Sequence, residues 1–146
     1  MAKAFPTYSA ASPVIGPAKT STDSNQLLGV GQTITVTAAQ LTLGARLGGI
    51  AVPKGAEMVA VMLDATDLDS STGITLSVGD AADNDRFLLA NTIAQTGAAP
   101  VGPTIAKTGF GYQFADETIV GVYVAAAPTG TPADGTIKLL LQYVSN

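Results

Sequence analysis

Cysteine, histidine and tryptophan are all missing from this chain. Without cysteine there is no disulfide and no thiolate metal site. Without histidine the commonest general base and the commonest metal ligand are gone, which excludes every Ser-His-Asp and Cys-His mechanism. Charge is scarce as well: Asp, Glu, Lys and Arg make up 12% of the 146 residues, against about 25% in typical domains. The net charge is −4, with only seven basic residues scattered along the chain. That balance argues against a nucleic-acid partner.

Long hydrophobic runs are also lacking, although the mean hydropathy is +0.35. No fully apolar run is longer than "MVAVML", Met58 to Leu63, far short of the roughly 18–20 residues of a membrane span. The N-terminus "MAKAFPTYSAASP" has no apolar core of a secretory signal. The expectation is a protein made and used without export or a membrane. Its polar surface must come from Thr, Ser, Gln, Asn and backbone. Both a surface covered by partners and an ordinary low-charge β-protein fit that composition.

Two regions follow from the pattern. Residues 1–28 hold Pro6, Pro13 and Pro17 among Ser, Thr and Ala, a composition that disfavours a helix or a central strand. An extended arm is predicted, with Phe5, Pro6, Tyr8, Pro13, Val14 and Ile15 as contacts to a partner. It becomes ordered only where those side chains find a surface, on this subunit or another, and is otherwise a disordered tail.

Residues 29–146 show β alternation: "TITVT", "GITLSVGD", "ETIVGVYVAAAP" and "GTIKLLLQYVSN" all place apolar side chains two apart. In "EMVAVMLDA", Val59, Val61, Leu63 and Ala65 are assigned to one face. Gly, Pro and Asp punctuate between the runs, with one turn at "VPKG". The pattern predicts an all-β antiparallel sandwich or jelly roll. "DRFLLANTIAQTG" is allotted at most one helical turn, and Gln95–Phe110 reads as a long loop.

Six of the eleven acidic residues fall in two echoing stretches, "DATDLD" (Asp64, Asp67, Asp69) and "DAADND" (Asp80, Asp83, Asp85). The strand between them separates the two by roughly 20 Å, so they are two turns and not one six-carboxylate site. Neither fits a calcium loop. Counting from Asp67, the glycine arrives one position late and position 12 is Val78; counting from Asp83, position 5 is Phe87. Asp side chains capping their own turns, with Arg86 paired to Asp80, Asp83 or Asp85, is the expected arrangement.

No catalytic carboxylate pair stands out. Asp116 and Glu117 are adjacent and would point to opposite faces of a strand. "GFGYQF" places Phe110, Tyr112 and Phe114 on one strand face, a packing stripe or a sugar-binding platform. "GVGQT" and "LGARLGG" lack the context of phosphate loops. Catalysis, cofactor and metal are accordingly not expected.

Four segments, "VPKGAEMVAVMLDATDLD", "ITLSVGDAADNDRFL", "GYQFADETIVGVYVAAAP" and "GTIKLLLQYV", together resemble small tailed-bacteriophage virion proteins of the head decoration, or cement, type. The resemblance runs from about Ala51 to Val144 and leaves the arm outside. It implies a β-sandwich that coats or joins major capsid protein subunits at the head surface, often as a trimer. Neck or tail components, and a carbohydrate-binding sandwich, are the alternatives.

Overall fold

The computed structural model describes residues 14–15, 26–95 and 100–145. Nine strands lie among the described residues: β1 (Val14–Ile15), β2 (Gln26–Val36), β3 (Arg46–Val52), β4 (Glu57–Ala65), β5 (Thr75–Gly79), β6 (Leu88–Asn91), β7 (Val101–Thr104), β8 (Thr118–Ala126) and β9 (Gly135–Ser145). They form two sheets, in the orders β1-β3-β8-β5-β6 and β2-β9-β4-β7. The fold is an all-β sandwich.

Its topology is that of a jelly roll. β2 pairs with β9, β3 with β8, β4 with β7 and β5 with β6, all antiparallel. The chain is thus one long hairpin, folded at β5–β6 and rolled so that successive pairs alternate between the sheets. β1 departs from this scheme by adding in parallel to β3, with Val14 opposite Ile50 and Ile15 opposite Ala51. β2 begins at Gln26, within the range expected of the arm.

The core is the filling between the sheets, where Ile34, Leu47, Ile50, Met58, Leu76, Val122 and Tyr143 are fully buried. β2 and β9 carry the alternation most cleanly: Ile34, Val36, Ile137, Leu139 and Leu141 are buried, while Thr33, Thr35 and Lys138 are exposed. Gln32 ties the two sheets together, its Oε1 accepting the Gly49 N–H at 2.9 Å.

Several local expectations give way to tertiary pairing. Within "DRFLLANTIAQTG", allotted a helical turn, lies β6 instead, held by Leu88 opposite Val78 and Asn91 opposite Leu76. The predicted loop Gln95–Phe110 contains β7, which adds to β4. Pro103 is tolerated in β7 because that strand is the edge of its sheet. In β4 a bulge between Met58 and Ala60 shifts the phase. Met58, Val61 and Leu63 are therefore buried while Val59 and Ala65 are only partly so, and the single predicted face is broken.

Candidate functional site

The two acidic stretches sit at opposite ends of β5, and each is organised around one buried carboxylate. Asp69 is 0% exposed. Its oxygens accept backbone N–H bonds from Ser71, Gly73 and Ile74 on its own loop and from Thr129 and Gly130 on another. It therefore clamps the β4–β5 connection to the β8–β9 connection. Burial by itself would raise its pKa, but the N–H donors, led by Ser71 and Ile74, outweigh that and hold it below its ordinary value.

Asp80 anchors the other turn. Its Oδ1 accepts the N–H groups of Ala82 and Asp83, and its Oδ2 lies 2.9 Å from Arg86 Nε. Asp83 Oδ1 accepts the Asp85 N–H. The pKa of the Asp85 carboxyl is raised, first by its hydrogen bond with Asp83, then by burial and the like charge of Asp83. Ser77 Oγ donates to the Asn84 carbonyl, folding the turn back against β5. Gly79 lies so close to Asp83 and Asn84 that a Cβ there would collide with their backbone. Among the described residues, no group of three or more His, Cys, Asp or Glu is placed to hold a metal ion.

Arg86 also caps an aromatic cluster, its guanidinium carbon lying 4.2 Å from the Tyr112 ring centre. The Phe87, Tyr112 and Phe114 rings meet at 5.2–6.0 Å between centroids. Phe110, expected on the same face as Tyr112 and Phe114, does not join them and is 67% exposed. The cause is local: Gly111 takes φ +74°, and the segment turns, with the Tyr112 N–H donating to the Gly109 carbonyl, instead of running as a strand. One face of the Tyr112 ring is thus covered by Arg86, and Phe87 and Phe114 meet the ring edge-on.

Of the predicted arm contacts, Val14 is partly buried on β1 and Ile15 stands out 62% exposed. Phe5, Pro6, Tyr8 and Pro13 lie outside the described residues. A feature that sequence reasoning missed is a groove of about 470 Å³ on the outer face of the sheet β2-β9-β4-β7. Gly31, Leu140 and Met62 form one row across its floor, and Thr33, Lys138 and Asp64 the next. Pro100, Val101 and Gly102 wall one side. Gly31 makes the low point, since a side chain there would press on Leu140. Its only sequence signal is a pair of glycines, Gly29 and Gly31, in an otherwise good strand.

This sandwich superposes on a chain in the capsid of Ralstonia phage GP4 with a TM-score of 0.70 and 28% identity, covering 89% of this chain and 91% of that one. A chain in the capsid asymmetric unit of cyanophage Pam1 gives 0.65 and 26%, covering 89% and 92%. Its structural neighbours are bacteriophage capsid chains. A chain in the capsid of the Helicobacter pylori bacteriophage KHP30 shares the fold at a TM-score of 0.53 and 20% identity, with 82% and 91% covered. No protein-family model matches the sequence, and neither does any curated protein. In each capsid neighbour the match takes in about nine tenths of that chain. The likeness is therefore to a whole small chain and not to one domain of a larger subunit.

Proposed function

We propose that this chain is a decoration, or cement, protein of a tailed-phage head. It is made in the host cytoplasm and binds at junctions between major capsid protein subunits, three copies together. The end-to-end match with small chains in phage capsids carries this reading. It is supported by the low charge, the absence of histidine and cysteine chemistry, and the exposed apolar side chains Ile15, Leu27, Leu43, Leu89 and Phe110. A cement protein works by mass action: it binds the assembled shell and not its separated parts, and so stabilises the assembly. No catalytic step, cofactor, nucleic acid or membrane enters this mechanism.

The arm belongs to the same proposal, with Phe5, Pro6, Tyr8, Pro13, Val14 and Ile15 as contacts to the neighbouring subunit. An extended segment buries much area per residue once it lies on a partner, but ordering it costs roughly 1–2 kcal/mol per residue of backbone entropy. Copy number is the decisive measurement. Quantitative mass spectrometry of purified virions should count hundreds of copies per particle. A dozen or fewer would move the protein to the neck or tail. Deleting residues 2–13 should reduce binding to shells that lack the protein, and full occupancy by the truncated form would remove Phe5, Pro6, Tyr8 and Pro13 from the mechanism.

A further inference from the structure

We propose that in the free protein the groove on the outer face of β2-β9-β4-β7 holds the chain's own residues 4–8, with Phe5, Pro6 and Tyr8 on its floor. The floor is apolar, made by Gly31, Leu140 and Met62, and the two charges at its end, Asp64 and Lys138, are cross-strand neighbours of opposite sign. Such a site favours an uncharged, apolar, extended ligand. Residues 4–8, "AFPTY", carry two aromatic rings, a proline and no charge. Proline fixes part of the backbone in advance, which lowers the ordering cost of docking.

The fold also brings the two together. Gln32, next to Gly31, accepts the N–H of Gly49, and Gly49 precedes Ile50, the partner of Val14. Val14 and Gly31 thus lie at one level of the sandwich, on either side of the β2 edge. The sheets are about 10 Å apart. Tyr8 is six residues and Ala4 ten residues before Val14, a reach of roughly 20–33 Å when extended. That is enough to round the β2 edge and enter the groove. A tethered segment acts at an effective concentration of order mM, so a molecule's own segment fills its groove ahead of a neighbour's.

β2 gives a second reason for this path. Among the described residues it is an edge strand, 11 residues long in unbroken register, with no charge, proline or bulge. The other sheet edges among the described residues are short: β1 has two residues, β6 four, and β7 four including Pro103. Long uncharged edges recruit foreign strands unless something covers them, and a segment wrapped past β2 supplies the cover.

The chain has no native cysteine, so paired cysteines can test this in the full-length protein. Thr7→Cys is combined with Thr33→Cys at the groove rim, or with Ala90→Cys on β6 as a control. Mild oxidation should close the first pair within one molecule about tenfold faster than the second, or more, because docking raises the local thiol concentration. Adding Phe5→Ser and Tyr8→Ser should bring its rate down to the control. Equal rates for the two pairs, or a product found only at twice the monomer mass, would overturn the proposal. No capsid is present in this assay, so its failure would leave the decoration reading standing, and virion copy number would test that separately.

Discussion

Truncating Phe87 to alanine should be among the most damaging single changes in this domain. The ring is fully buried and touches two others, with centroids 5.8 Å from Phe114 and 6.0 Å from Tyr112. Its backbone is pinned as well: the Phe87 N–H donates to the Val78 carbonyl, and the Phe87 carbonyl accepts from Ala106. Gly109 packs directly against the ring, where a Cβ would come within 2.5 Å. The site is therefore held on several sides and cannot collapse freely around a cavity. A buried Phe→Ala costs about 3–5 kcal/mol, and each aromatic pair adds roughly 0.5–1.5 kcal/mol beyond area. Against a domain stability of about 5–15 kcal/mol, that is a large fraction. With a urea m-value of about 2 kcal/mol/M, the midpoint should fall by roughly 2 M. Far-UV circular dichroism in urea reads this directly. Phe110→Ala supplies the contrast: at 67% exposure it should change stability by no more than about 0.5 kcal/mol. Phe114→Ala should resemble Phe87→Ala, and the double variant should cost less than the sum because the two rings share one contact. If Phe87→Ala loses less than about 1 kcal/mol, the average for any substitution, or Phe110→Ala loses as much as Phe87→Ala, the assignment of the cluster is wrong.

Other outcomes follow from the turns and the core. Asp69→Asn should destabilise the protein at neutral pH, because the amide NH2 must face backbone N–H groups. The Asp69 pKa is depressed in the fold, so its stabilisation is present above the unfolded value of about 4 and is lost as pH falls through the folded value. Unfolding measured across that window should show the wild type converging on the variant. Arg86→Ala should cost about 2 kcal/mol by leaving the buried Asp80 carboxylate without its guanidinium; an unchanged urea midpoint would contradict the pairing. Burial pushes the Tyr143 phenol up to about 12, so an ultraviolet titration should find a tyrosine still protonated well above the ordinary phenol range. Because that folded value exceeds the unfolded value of about 10, stability should fall as pH rises above about 10. Gly49→Val should disrupt the β3–β8 pairing, since even a Cβ would lie 2.8 Å from Ile119 Cγ2, and a variant with unchanged thermal stability would refute that packing.

Fold class and most of the core are legible in the linear order of residues. Period-two alternation is a local property, and in β2 and β9 it names the buried set directly, from Ile34 and Val36 to Ile137 and Leu141. The missing histidine and cysteine narrow the chemistry, and the spacing of the aspartates is enough to separate the two turns. Which aspartate does what is not legible. Asp67 and Asp69 look alike in "DATDLD", yet Asp69 receives N–H groups from a loop 60 residues away. The same holds for β6 and β7, whose short sequences have no decisive period and become strands because β5 and β4 offer them an edge. A one-residue bulge reassigns the face of Val59, and a positive φ at Gly111 separates Phe110 from its neighbours. The groove needs the register of three strands before Gly31, Leu140 and Met62 can be seen to lie in one row. Alternation is written residue by residue, whereas a loop clamp, an edge pairing and a groove come into being only where distant segments meet.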